Sequence, residues 1–329
     1  MGQAAEMIQL WRGPLCESVH HGHAVICDRS GIVEAWGDPG AIIYPRSSCK
    51  MIQALPLIES GAADRAGLTD RQLALACASH SGARMHVEAV TGWLQGLGLG
   101  DDDLRCGCHM PREPAENRRL TCSDARPRQA HNNCSGKHAG FLTLNRHLGG
   151  GPDYERIDHP VQRAVKAAFE EVTGETSPAT GIDGCSAPNH ACSLSGLAQA
   201  MARFADPGHD RRGAAMRRLV GAMTAHPEMV AGEGRSCTQL MREMGGRGAA
   251  KTGAEAVFVA ILPEPGLGIA LKIADGATRA SEAAICALLH HLGALSDASP
   301  VLARLLGDPI RNWRGIETGQ MRLSPGFPG

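Results

Sequence analysis

The chain has 329 residues, with 33 Lys plus Arg set against 34 Asp plus Glu and a formal charge of −1. That balance, with charges of both signs interspersed, excludes the basic stripe of a nucleic-acid binder and the acidic tail of a polyelectrolyte partner. Aromatics are 3% of residues and hydrophobics 43%, so the core is built from Ala, Leu, Val, Ile and Met and an aromatic base-stacking platform is excluded as well.

No apolar run reaches the roughly 18–20 residues that a membrane helix needs. The start, MGQAAEMIQLWRG, lacks a basic n-region followed by an apolar h-region. Glu6 stands where myristoylation expects Ser or Thr. A soluble, cytoplasmic protein is expected. Its twelve cysteines are then reduced thiols by default. Those in apolar helical context, such as Cys77, Cys192 and Cys286, read as small buried hydrophobes.

In chain order, residues 7–43 predict antiparallel hairpins. MIQLW and ESVHHGHAVICD are followed by IVEAWG, which lies between Asp-Arg-Ser-Gly and Gly-Asp-Pro-Gly turns. Residues 47–60 and 71–77 read as helical, and RMHVEAVTGWLQGL over 84–97 carries clear 3.6-residue periodicity. A tract rich in Pro, Arg and Cys over about 100–133 reads as loop. Helices are expected over about 136–147, 157–173, 193–204, 212–224 and 236–244. EAVFVAIL (255–262) and GIALKIA (268–274) form a second hairpin, and helices over 278–293 and 300–306 follow.

Strands at both ends and helices between them predict an α+β fold. The N- and C-terminal segments share one antiparallel sheet and the middle of the chain forms a helical lobe against it. The whole of 1–329 is expected to be a single unit, with lobes of 1–46 plus 248–329 (sheet) and 47–247 (mainly helical), and with the active site in the cleft between them.

PRSSCKMIQ places Ser47 and Lys50 three residues apart. On a helix they share a face, and a partly desolvated lysine near other positive groups can accept a serine proton. The competing reading is structural, with Ser47 or Ser48 simply capping the helix. Two further features favour chemistry. CASHSG (77–82) ends an apolar run and sets two serines, Ser79 and Ser81, at an element terminus; Lys251-Thr-Gly253 enters the C-terminal strand. Ser-x-x-Lys before a helix together with a late Lys-Thr-Gly is the arrangement of serine β-lactamases and penicillin-binding proteins. The Ser-Asp-Asn motif of those families is absent.

HNNCSGKH (131–138) and TGIDGCSAPNH (180–190) are two more polar blocks, each at a turn before a helix. Two thiolates and a nitrogen suit zinc; helix capping by Asn, Ser and Asp beside incidental cysteines is the other reading. Cys106-Gly-Cys108-His109 has no second pair nearby and reads as loop.

PRSSCK, CASHSG, HNNCSGKHAGFL and GIDGCSAPNHA, at these separations, resemble the class 3 (rhizobial-type, asparaginase II family) L-asparaginases over about residues 10–310. The resemblance implies a serine-β-lactamase-like fold, a homodimer and an amidohydrolase that converts L-asparagine to L-aspartate and ammonia through a serine nucleophile and an acyl-enzyme. It implies two Ser–Lys pairs, Ser47 with Lys50 and Ser79 with Lys251. The zinc ligands it implies are Cys134, Lys137 and Cys185, the metal aiding substrate binding without being strictly required for the chemistry. His138 and Asp183 are carried over as second-shell or substrate-binding residues. Arg46 is a candidate carboxylate clamp or else a surface residue. Cys49, Met51 and Ala83 depart from the family pattern, where a smaller residue, a proline and an acidic residue are expected. The alternative is another Ser–Lys acyl hydrolase on this fold, a glutaminase or a β-lactam-processing protein; a metal or thiol sensor would not need two Ser–Lys pairs.

Overall fold

The structure, a computed structural model, describes residues 2–328. It divides into two compact units, one of residues 2–48, 192–206 and 239–328, the other of 49–191 and 207–238. The strands in chain order are β1 (Ala5–Arg12), β2 (Leu15–Asp28), β3 (Gly31–Trp36), β4 (Ile42–Ile43), β5 (Thr180–Ile182) and β6 (Pro188–His190). They continue with β7 (Cys192–Ser193), β8 (Ala249–Thr252), β9 (Val257–Leu262), β10 (Leu267–Ile273), β11 (Ile310–Arg311) and β12 (Glu317–Leu323).

The first unit is built on an eight-stranded sheet in the order β11-β12-β1-β2-β10-β9-β8, with β3 on β2. Every pairing is antiparallel, and the strands come from both ends of the chain, as an α+β reading requires. β9, VFVAIL, is buried at all six positions, so both of its faces are covered. The helices Leu194–Ala205 and Thr278–His291 both pack against β9 and β10. Contact with the first is backbone to backbone: a Cβ on Gly268 would lie 2.0 Å from the Ala202 nitrogen and 2.5 Å from the Ala198 carbonyl oxygen. Only glycine fits there.

The second unit is mainly helical. Its most enclosed element is the helix Ser135–Leu148, buried continuously from Ser135 to Asn145. It is crossed by the helix Asp70–Ala76, where a Cβ on Gly136 would meet the Leu75 carbonyl oxygen at 2.3 Å. That crossing brings the start of the CASHSG segment to the first turn of the helix that the HNNCSGKH block opens. β5 and β6 form a small hairpin around Asp183–Cys185.

Several local details differ from the sequence expectation. The helix expected over 47–60 is three pieces, a 3₁₀ turn Arg46–Cys49 and the helices Lys50–Gln53 and Leu55–Glu59. Pro56 lacks an N–H and belongs at a helix start, so a new helix begins there. The tract over 100–133 contains a helix, Pro114–Cys122, opened by Glu113, whose carboxylate accepts from the Ala115 and Glu116 N–H groups. Near the C-terminus, β11 and β12 pair with the sheet edge; ETGQMRL has too few apolar residues to announce itself as a strand.

Candidate active site

In the sheet unit, the residues around Ser47 are held by an unusual backbone. Arg46 has φ +54°, a left-handed conformation costing roughly 1–2 kcal/mol for a residue with a Cβ, and such strain is kept where surrounding structure fixes it. The fixing contacts are visible. The Ser48 N–H and hydroxyl both donate to the Pro45 carbonyl, at 3.2 and 2.7 Å. Gly253 of the Lys-Thr-Gly segment abuts the same turn, its absent Cβ lying 2.7 Å from the Pro45 oxygen and 3.2 Å from the Ser48 nitrogen. The end of β8 is thereby set against the Ser47 turn. Lys251 on β8 is 1% exposed and donates to the Thr252 carbonyl at 2.8 Å. Ser47 is half-buried and its hydroxyl makes no hydrogen bond among the described residues. The helix Lys50–Gln53 has no side-chain cap, so neither serine plays the capping part that was the structural alternative.

In the helical unit, Lys50 is 1% exposed and its ammonium is surrounded by acceptors. Nζ lies 3.0 Å from Ser79 Oγ and 3.1 Å from Cys134 Sγ, and it donates to the Ala78 carbonyl oxygen. Ser79 is held in place by its own N–H, which donates to Val230 O at 2.8 Å. The 77–82 and 131–138 segments are locked together by the His80 N–H on Asn133 O at 3.2 Å and by a side-chain chain. The Gly82 N–H donates to His80 Nδ1 at 3.1 Å, which leaves Nε2–H to donate to Ser135 Oγ at 2.9 Å; Ser135 in turn donates to Ala130 O at 3.0 Å. Burial keeps the His80 imidazole well below its ordinary pKa, hence neutral and able to fill this role.

Cys134, Lys137 and Cys185 converge beside Lys50. The Lys137 ammonium donates to Cys185 Sγ at 3.0 Å and lies 5.2 Å from the Phe141 ring centroid. The Cys134 thiol donates to Cys185, which pushes the Cys134 pKa up to about 12, with burial adding to it. The same hydrogen bond, helped by the Lys137 charge and against burial, pulls Cys185 well below an ordinary thiol. Burial alone would lower Lys137, but the attraction of Cys185 and Cys134 outweighs it and the amine is raised. Without metal this is an ammonium–thiolate pair with a second thiol in attendance. Among the described residues no group of three or more His, Cys, Asp or Glu is placed to hold a metal; the third group here is the Lys137 amine, which would join the two sulfurs as a zinc ligand only after losing its proton.

Asp183 is half-buried at the β5–β6 turn; its Oδ1 accepts from the Gly184 N–H at 2.8 Å, and its charge acts on Lys137 and Cys185. Ser186, in the same turn, has φ +69°. His138 is fully buried. Its Nδ1 lies 2.9 Å from the Tyr154 hydroxyl, which accepts from the Arg105 N–H at 2.8 Å, and its Nε2 has no partner.

Tyr154 has no sequence signal beyond the scarcity of aromatics, two Tyr in 329 residues, whereas His80 and Ser135 lie inside the CASHSG and HNNCSGKH blocks without a role assigned to them there. Cys106 is a third thiol nearby, pushed up by burial and then by Cys134 and Cys185. The loop that carries it is tied to the HNNCSGKH block by Asn132 Nδ2, which donates to Cys106 O at 2.8 Å and Gly107 O at 3.0 Å. Asn132 Oδ1 meanwhile accepts from the Cys134 N–H at 2.8 Å, so the asparagine serves the helix start while the cysteine faces Lys50.

A family model described as L-asparaginase II matches residues 8–323. No curated protein matches the chain significantly. Among solved structures, one of Mglu is 14% identical with a TM-score of 0.50, covering 88% of this chain and 72% of its own. A β-lactamase from Mycobacterium bovis is 14% identical over 79% of this chain and 89% of its own, TM-score 0.42. A putative β-lactamase from Bacteroides dorei is 10% identical over 77% and 84%, TM-score 0.42.

Proposed function

The chain belongs to the L-asparaginase II family and is an amidohydrolase acting on L-asparagine, and on that premise we propose that it works through Ser–Lys acyl transfer. The observation that carries this reading is the Lys50 amine 3.0 Å from Ser79 Oγ, with Ala78 O and Cys134 Sγ as its other partners. A neutral Lys50 satisfies the last two with its two N–H bonds, which leaves its lone pair for a serine proton.

A primary amide needs an activated nucleophile, a stabilised oxyanion and a protonated leaving group. Ser47, its hydroxyl free of hydrogen bonds, attacks the side-chain amide carbon as Lys50 takes its proton. Lys50 returns that proton through Ser79 to the departing ammonia, with Lys251 supplying positive charge. Backbone N–H groups at the start of the 3₁₀ turn hold the oxyanion, a contribution of about 2.7–4 kcal/mol per donor in comparable sites. Water then cleaves the aspartyl ester by the reverse proton path. Arg46 is the clamp for the substrate's α-carboxylate.

Cys134, Lys137 and Cys185 would hold zinc, which supplies a Lewis acid for the α-amino and carboxylate groups of the substrate. Asp183 adds a carboxylate beside this centre for the α-ammonium group. His138, fully buried, acts by positioning the helix start. A cytoplasmic homodimer completes the reading, on the family likeness alone.

Ammonia release from L-asparagine tests it, run beside L-glutamine and a chromogenic β-lactam. Turnover of asparagine well above the other two supports the reading; faster turnover of glutamine or the β-lactam replaces it with the alternative acyl hydrolase.

A further inference from the structure

One cavity in the helical unit belongs to none of the groups described above. It has a volume of about 460 Å³ and is lined by Ala62, Arg65 and Ala66, by Gly96 and Leu97, and by Thr143, Arg146 and His147. Three of these side chains are basic and none is acidic. Arg65 is exposed and its guanidinium makes no hydrogen bond or ion pair among the described residues. Arg146 uses one N–H, from Nη1 to Leu97 O at 2.6 Å, and keeps four. His147 Nδ1 is buried without a partner.

The carboxylates on the surrounding elements are already engaged. Asp64, next to Arg65, is bound by Arg218 at 2.6 Å; Glu59 is held by Arg212 and Glu88 by Arg84 at 2.7 Å. The helix Ser135–Leu148 carries no carboxylate at all. Opposing the basic groups are the carbonyl ends of the helices Arg84–Gly96 and Ser135–Leu148, worth at most about half a negative charge each. One of those ends, Leu97 O, is already neutralised by Arg146. Two full guanidinium charges therefore outweigh the helix ends, and the cavity is electropositive.

We propose that this cavity is a binding site for a small dianion, an oxyanion able to take N–H donors from Arg65 and Arg146 at once. Planar guanidiniums suit phosphate and carboxylate oxygens, which they grip in pairs. The volume admits a phosphate or a short dicarboxylate, and Thr143 and the small residues Ala62, Ala66 and Gly96 leave the floor free of bulk. The site lies at the far end of the helix whose first turn holds Lys137. Arg146 is nine residues further on, about 14 Å along the axis. Nothing in the asparagine chemistry requires it, so the proposal stands or falls independently of the proposed function.

The test is calorimetric titration of the full-length protein at constant ionic strength with inorganic phosphate, succinate and acetate. Saturable one-to-one binding of phosphate, of succinate or of both, with acetate at least about tenfold weaker, is expected. Whichever dianion binds tighter identifies the source, a phosphate group or a dicarboxylate. Arg65→Ala is the decisive variant, since Arg65 supports no other group and its loss leaves the fold intact; it should weaken dianion binding at least about tenfold, and Arg146→Lys, which keeps the charge and loses the fork, should weaken it less. Equal binding by acetate, unchanged affinity in folded Arg65→Ala, or no binding of either dianion overturns the proposal.

Discussion

Lys50 has three N–H bonds as an ammonium and three acceptors around it, Ala78 O, Ser79 Oγ and Cys134 Sγ. A side chain so completely enclosed, 1% exposed, is held in one rotamer, and that is what a proton carrier between two serines requires. Replacing Lys50 with Met keeps the volume and removes the carrier, and kcat for asparagine should fall by about 10²–10⁴; a variant within threefold of wild type would remove Lys50 from the mechanism. A different residue-scale effect concerns stability. Glu116 is held near pH 2, down from 4.5, first by its hydrogen bond with Arg119 and then by His131, with burial opposing. Because the folded pKa is depressed, the stabilisation is present above about 4.5 and is lost as pH falls from there towards 2. The Tm difference between wild type and Glu116→Gln should therefore be largest near neutral pH and shrink through that window. A difference that grows on acidification would contradict the assignment.

At the scale of elements, two glycines decide how closely backbones meet. Gly268→Ala would press a methyl into the helix Leu194–Ala205 at 2.0 Å, where neither strand nor helix can yield cheaply; a loss of about 3 kcal/mol or more is expected by urea denaturation. Gly253→Ala meets the Pro45 carbonyl at 2.7 Å and should cost activity more than stability, because the turn it displaces carries Ser47. Equal kcat in a folded Gly253→Ala variant would show that the turn tolerates the shift. These contacts explain what could be read in advance and what could not. The periodic helix around 84–97 and the VFVAIL and GIALKI strands declare themselves because burial imposes a repeat on the sequence. The polar blocks declare themselves because Ser, Lys and Cys at fixed offsets need a reason. Ser47's helix looked continuous through 60 because apolar content does not reveal where Pro56 restarts it. The Pro114–Cys122 helix is largely exposed and β12 has no buried position, so neither carries such an imprint. Tyr154 acts through hydrogen bonds to residues distant in the chain, which leave no pattern in a linear sequence at all.

For the molecule as a whole, the family match over residues 8–323 spans residues of both units. Of the residues in the proposed chemistry, Arg46, Ser47 and Lys251 belong to the sheet unit and Lys50, Ser79 and the thiol–amine cluster to the helical unit. Stripping metal, verified by elemental analysis, should raise KM for asparagine severalfold with a smaller change in kcat, since the cluster is assigned to substrate binding; an unchanged KM would remove zinc from the account. Light scattering should give twice the 34.6 kDa chain mass. The most direct measurement is the rate of ammonia release from L-asparagine by wild type and by Ser47→Ala, with folding of the variant confirmed by circular dichroism. Turnover by the first, and a drop of at least about a thousandfold in the second, is the predicted result; comparable rates in the two would contradict Ser47 as the nucleophile.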